Sequence, residues 1–291
     1  MLEQNEPKLE FSLIYDELKK IISSIKTVSY TFMDDEVFEK LEKLSESQYI
    51  YWIEIIQRTH FCAFTSLQRV FKWMNSMNDS WNTNNYYGFC TSIRGLIEAC
   101  SDSFYTISKI IYPITENHFL IEKALNGKAE TLTLSEDIEN ELIHYMFGRK
   151  LSSEEKRENP QSHKALQVTD YLNHIGDEKV KRLYSELCQV SHPSMMSFAP
   201  FSYNDPEFGQ VIHNQDIDSI LNNQVLKEYK ESIILAINFA IVPSIALLNL
   251  ISITDAKSIN SLKIHANLLK YVNQSEYWKE LEQIVQKSKE N

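Results

Sequence analysis

The sequence predicts an all-α protein, a multi-helix bundle of long antiparallel helices with flanking helical hairpins. Three observations point there. Breakers are scarce, with six glycines and seven prolines in 291 residues, too few for a turn-rich β protein. Apolar residues recur at three-and-four spacing over windows much longer than a strand. The composition, 43% hydrophobic and 24% charged, is that of an ordinary soluble domain with a core to fill.

Residues 8–26 form the first amphipathic pattern, with Phe11, Ile14, Leu18, Ile21, Ile22 and Ile25 on one side. Asp34 or Asp35 is placed to cap a short helix through Leu44, which completes an N-terminal hairpin over 1–45. A main bundle over 46–253 follows. Its first helix is predicted at 46–77, and the polar stretch MNDSWNTNN reads as the loop to a second, antiparallel one.

That second helix, Asn85–Tyr112, is the element the rest is arranged around. Its apolar stripe is Tyr86, Phe89, Ile93, Ile97, Cys100, Phe104, Ile107 and Ile111, and a second stripe carries Gly88, Ser92, Gly95, Ala99 and Ser103. Small residues let a neighbouring helix approach closely, so coverage on two sides is expected. Pro113 should end the helix, because it has no amide hydrogen to continue the ladder.

Shorter helices are predicted at 115–127 and 136–147, then a charged surface segment RKLSSEEKRENPQSHK. Next come a helix around Ala165–His174 ending at Gly176, and a helix at 178–192 capped by Asp177 and stopped by Pro193. The following stretch is rich in aromatics for a loop, with a short hairpin expected near Gly209. A long helix at Ile217–Ile253, kinked near Pro243, completes the bundle. Asp255 or Asn260, and then Ser275, are expected to open a C-terminal helical pair over 254–291.

Net charge is −11, from 29 basic and 40 acidic residues, which argues against broad, non-specific phosphate binding. Any nucleic-acid contact would need a local basic pocket. The four cysteines, Cys62, Cys90, Cys100 and Cys188, make no CxxC pair and read as buried thiols in a reducing cytosol. The N-terminus MLEQNEPKLEF lacks a signal-peptide pattern, so a cytoplasmic location is expected. The uncharged run Ser232–Thr254 is long enough to span a bilayer. Asn238, Pro243 and Asn249 interrupt it and no aromatic or basic belt flanks it, so a core helix is favoured and no membrane partner is expected.

Two helices carry the candidate chemistry. Arg94 and Glu98 sit one turn apart between the stripes, edged by Tyr87, Tyr105 and Tyr112. On the helix at 178–192, Tyr184, Cys188, Ser191 and His192 fall at i, i+4, i+7 and i+8, a row of phenol, thiol, hydroxyl and imidazole expected on a largely inward face. His192 lies at the helix C-terminus, where the dipole favours a cation. The structural alternative is that these groups are satisfied core polars, and an i,i+4 ion pair is common on helices.

The segments RGLIEAC (94–100) and YSELCQVSHPS (184–194) resemble the Arg-x-Leu-x-Glu and Tyr-x-x-Leu-(Ser/Cys)-x-x-x-His-Pro pattern of an uncharacterised bacterial helical family, similar in layout to the HEPN-like superfamily. The resemblance covers about Tyr86–Pro193 and the helix after it. It implies Arg94, Glu98, Tyr184 and His192 as the shared polar positions. We take these as the candidate catalytic residues of a protein that acts on or binds RNA in a toxin or phage-defence setting. If an enzyme, this would be a metal-independent endoribonuclease, with His192 as general acid/base or as a hydrogen-bond donor to the phosphate, and Arg94 on the phosphate. Tyr184 and Glu98 would orient them, and the loop 195–210 would stack bases or close over the site.

One departure stands out. Catalytic HEPN proteins carry an Arg with a His about five residues on, and neither Arg94 nor Arg182 does. Arg157–His163 comes nearest, with Pro160 inside it. That leaves a non-catalytic relative, or an Arg and His brought together from two helices.

No cofactor and no metal are expected. Cys188 and His192 lack a second ligand pair, and no GxGxxG, GxxxxGK[ST] or GxSxG occurs. Partners to expect are RNA, a protein partner or a second copy in a homo-oligomer. The competing function is a non-catalytic scaffold or regulatory partner, in which the same four residues form a buried network.

Overall fold

The computed structural model describes residues 8–25, 28–33, 38, 40–155, 163–205, 207–214, 216–264 and 275–290. Its helices are α1 (Lys8–Ser24), α2 (Leu44–Asn82), α3 (Tyr86–Glu116), α4 (His118–Leu125), α5 (Glu136–Phe147), α6 (Val168–Ile175), α7 (Glu178–Ser191), α8 (Asp218–Ile253) and α9 (Glu276–Glu290). A two-stranded antiparallel ribbon, β1 (Ser202–Asp205) and β2 (Gln210–His213), interrupts them. The protein is an all-α bundle, as its periodicity predicted.

Three long helices make the core. Leu67 and Val70 of α2, Ile93, Ile97, Ile107 and Ile111 of α3, and Ile233, Ile237 and Leu248 of α8 are all fully buried. The small stripe of α3 faces α2: Ser92 and Ser76 share a hydrogen bond of 2.8 Å, and Gly95 lies under the Trp73 indole. With α8 also packed on α3, the central helix is covered on two sides, as expected.

α2 and α3 exceed their predicted bounds. The stretch read as a nine-residue loop is mostly helix. Trp81 packs on Phe89 at 5.4 Å between centroids, so a tertiary contact holds the last turn of α2. Only Thr83–Asn85 connects the two helices. Asn84 takes a left-handed conformation, φ 49°, which asparagine tolerates, and the Asn85 side chain caps α3 by accepting from Gly88 N at 2.8 Å.

Pro113 does not end α3, which continues to Glu116. Beyond it Ile114 and Thr115 are buried, and Asn117 closes the turn by donating its backbone and side-chain N–H groups to Pro113 O. Helix α8 likewise runs through Pro243 as one element. Among the described residues α8 is the one helix long and apolar enough to cross a bilayer, and most of its apolar length is buried against its neighbours.

The other elements sit on this core. α1 buries Leu18 and Ile21 and stacks Tyr15 on Phe71 of α2; the Phe11 side chain lies outside the described residues. So do residues 34–37, where the second helix of the N-terminal hairpin was expected, and Leu41–Lys43 are not helical. α5, α6 and α7 line one side of α3. Gly176, at φ 75°, ends α6, and Asp177 caps α7 by accepting from Val180 N at 2.8 Å. Gly209, at φ 61°, turns the expected hairpin. Near the C-terminus Lys257–Leu262 is a 3-10 turn rather than an α-helix, residues 265–274 lie outside the description, and Ser275 caps α9.

Candidate functional site

Packing α7 against α3 brings all four predicted residues together. Arg94 Nε donates to Glu98 Oε1 at 3.0 Å, and the Tyr184 hydroxyl donates to the same oxygen at 2.8 Å. The guanidinium lies over the Tyr184 ring, 5.7 Å from its centroid, within cation–π range. Its Nη1 is 3.3 Å from His192 Nε2. Arginine only donates, so Nε2 accepts, which requires the neutral ring with its proton on Nδ1.

The row on α7 does not face inward throughout. α7 ends at Ser191, and His192 follows with extended backbone, φ −108° and ψ 158°. Its ring therefore stands at the rim and is exposed. Leu183, Leu187 and Val190 take the buried face, which turns Tyr184 and Cys188 to its edge. The Arg94 and Glu98 side chains keep 24% and 35% of their surface, so the cluster reaches solvent and is not a dry core network.

Burial presses against the charge of Arg94, but Tyr184, Cys188 and Glu98 outweigh it and hold the guanidinium above its ordinary range. The Tyr184 phenol is pushed well up, first by burial and then by its bond to the Glu98 carboxylate; Arg94 works the other way. The site thus presents a fixed cation, a phenol that keeps its proton and a solvent-reaching imidazole whose Nε2 lone pair is held by Arg94.

Behind His192 the chain forms an aromatic rim. Phe201 is buried, stacked on Tyr87 at 5.6 Å, and the Tyr87 hydroxyl donates to Ser197 O. That anchor holds the start of the loop beside α3, while Met195, Phe198, Tyr203 and Phe208 stand in solvent, Phe208 at 67% exposure.

Of the tyrosines expected to edge the Arg94 pair, none is its stacking partner; Tyr184 takes that part. Tyr87 serves the loop, and Tyr112 packs on Tyr277. Tyr105 lies under Lys109, whose Nζ is 3.6 Å from the ring centroid and 2.5 Å from Glu141 Oε1. Sequence reading missed the continuation of the polar stripe: Arg94, Glu98, Asp102, Tyr105 and Lys109 follow one another at helical spacing along α3. Asp102 pairs with Arg69 of α2, which lies over the Tyr145 ring, and Ser108 meets His174 Nε2 at 2.8 Å. The same spacing that singled out Arg94 and Glu98 would have found Asp102 and Lys109, but nothing in the sequence pointed to Arg69 or His174.

In the Arg157–His163 match, Arg157 and Pro160 lie outside the described residues. Three cysteines are buried as expected; Cys188 is partly exposed. Among the described residues no group of three His, Cys, Asp or Glu side chains converges as a metal site would require. The chain matches no protein-family model, and neither a curated protein nor a solved structure is significantly similar to it.

Proposed function

We propose that this protein acts on RNA as a HEPN-like, metal-independent endoribonuclease whose centre is the Arg94–His192 pair. The observation that carries the reading is the 3.3 Å approach of Arg94 Nη1 to His192 Nε2 at a solvent-reaching rim. An arginine on α3 beside a histidine just past the end of α7 supports the reading, since the sequence resemblance lacks the two on one helix. The toxin or phage-defence setting is taken from that resemblance.

The chemistry follows from the donor set. A phosphodiester drawn to Arg94 competes with His192 for the guanidinium and leaves the Nε2 lone pair free. His192 then removes the proton of the 2′-hydroxyl as that oxygen attacks phosphorus. Arg94 holds the charge that develops on the phosphoryl oxygens. The 5′-oxygen departs with a proton from solvent, leaving a 2′,3′-cyclic phosphate and a 5′-hydroxyl. Glu98 and Tyr184 position Arg94, and the exposed aromatics behind His192 offer stacking faces for unpaired bases. Those faces suit a protein of net charge −11, since stacking does not depend on a broad basic surface.

The test is cleavage of a single-stranded RNA by the purified protein in the presence of a chelator, beside His192→Gln and Arg94→Gln. Cyclic phosphate ends are expected, with a loss on the order of 100-fold or more in His192→Gln, the usual scale for one acid–base group. Because His192 is exposed, its variant should melt within a degree or two of the parent. Absence of cleavage with folding intact would favour the scaffold reading, which has one observation of its own: Glu98 already neutralises Arg94, and Tyr184 already satisfies Glu98.

A further inference from the structure

Among the described residues the β1–β2 ribbon is a sheet of two strands, and such a ribbon is marginally stable in water without a third strand or a covering helix. It nevertheless holds apolar side chains in solvent. Tyr203 on β1, Phe208 in the turn and Val211 on β2 keep 55%, 67% and 71% of their surface.

The register shows which backbone groups the ribbon leaves open. Asn214 N donates to Phe201 O at 2.8 Å, immediately outside the first paired residues, Ser202 and His213. Hydrogen-bonded and non-hydrogen-bonded pairs alternate along an antiparallel ladder. Tyr203 and Ile212 therefore bond across the ribbon, whereas Ser202, Asn204, Val211 and His213 turn their N–H and C=O groups outward. Among the described residues the outward groups of Val211 and His213 have no partner. The two edges differ in sequence. β1 contains Asp205 and runs into Pro206, residue types that discourage edge pairing, while Gln210–His213 of β2 has no acidic residue, lysine, arginine or proline.

We propose that this β2 edge binds a second copy of the chain, β2 against β2, to make a four-stranded antiparallel sheet across a two-fold axis. An antiparallel edge is complementary to itself, so one surface serves both copies. Val211 bonds with the partner's His213, and Ile212 lies opposite the partner's Ile212. Tyr203, Ile212 and their two counterparts then form one apolar row across a single face. The same register lays the turn that carries Phe208 beside the segment following the partner's β2. An aromatic side chain presents on the order of 200 Å² when fully open, so Tyr203, Phe208 and Val211 offer roughly 400 Å² of apolar surface. That is close to the apolar half of the roughly 800 Å² that each partner gives to a standard-size interface. Charge favours the same edge. Two copies of net charge −11 repel, and they meet at least cost on a strand without carboxylates. The pairing takes nothing before Ser202, so Met195 and Phe198 are left at the His192 rim, and the proposal does not depend on RNA cleavage.

Sedimentation equilibrium of the full chain over a range of concentrations tests it. The parent should reach twice its chain mass of 34.0 kDa. Val211→Pro removes an N–H that the ribbon does not use and costs one hydrogen bond in each copy, which should weaken the dimer about tenfold or more. Val211→Asp, which keeps the N–H but sets a carboxylate on the edge, should weaken it likewise. Asn204→Pro makes the equivalent change on the β1 edge and should leave the dimer intact, which separates edge pairing from damage to the ribbon. Under mild oxidation Ile212→Cys should form a disulfide-linked dimer, because residue 212 faces itself in a non-hydrogen-bonded pair, where cross-strand Cβ atoms come closest. The parent and Gln210→Cys should not. The proposal is overturned if the parent is monomeric at every concentration, if both Val211 variants dimerise like the parent, or if Ile212→Cys cross-links no faster than Gln210→Cys. A monomer in which Val211→Asp weakens RNA binding would overturn it in favour of nucleic acid on this patch.

Discussion

Between pH 7.5 and pH 4.5 a single side chain, His60, will remove roughly 2–3 kcal/mol of folding stability. His60 is 1% exposed in the middle of α2. Its Nδ1 pairs with the Tyr30 hydroxyl at 2.8 Å, and it makes a backbone hydrogen bond with Leu262. Burial is the main cause that lowers its pKa from 6.5 to about 4. The folded state thus holds the ring neutral while the unfolded chain protonates it near 6.5. Stability from this group is complete above the unfolded value and is lost as pH falls through 6.5 toward about 4. Equilibrium denaturation at the two pH values measures it. His60→Leu should be less stable at both but should lose roughly 2–3 kcal/mol less between them. An unchanged pH difference in the variant would sink the assignment. His118, also buried and shifted down by burial, adds in the same direction.

Gly95→Ala will destabilise the protein by about 2 kcal/mol, although the same change in an exposed helix normally gains about 1 kcal/mol. Packing decides the sign. A methyl group on Gly95 would fall 2.5 Å from Cζ2 and Cη2 of Trp73, far inside contact distance. Either the indole leaves its place between α2 and α3 or the helices move apart. Overpacking of this kind costs typically 1–3 kcal/mol, and relief by a rigid bicyclic ring puts it at the upper end. Thermal unfolding of Gly95→Ala, Trp73→Leu and the double variant resolves the terms. With leucine at 73 the alanine should become neutral or favourable. If Gly95→Ala raises the melting temperature in the parent background, the close approach is not what glycine serves here.

The fold could be read because long helical patterns with few breakers leave little else to build, and the stripe of Gly88, Ser92 and Gly95 announced the close approach of α2. What failed was local punctuation. Pro113 forfeits one backbone bond, a cost of about 3 kcal/mol in a helix interior, yet burial of Ile114 and Thr115 beyond it offsets that cost. The window around Trp81 is polar, and its contact with Phe89 is invisible until α2 and α3 are paired. At the site, Arg94 and Glu98 were legible because both lie on one helix. Tyr184 and His192 came from their shared stripe and the resemblance, whereas the exposure of His192 depends on where α7 stops. Arg69 and His174 owe their places to packing between helices, which no spacing encodes.

The order of the long helices has a consequence for biosynthesis. α2 and α3 are joined by three residues and can pair as soon as both have emerged. The helix that covers their remaining apolar face, α8, ends at Ile253, well over a hundred residues after α3 ends at Glu116. At about 5–20 residues per second, the ribosome leaves that face bare for on the order of ten seconds. The nascent chain is at its stickiest during this interval, and synonymous codons that slow translation between α3 and α8 would lengthen it.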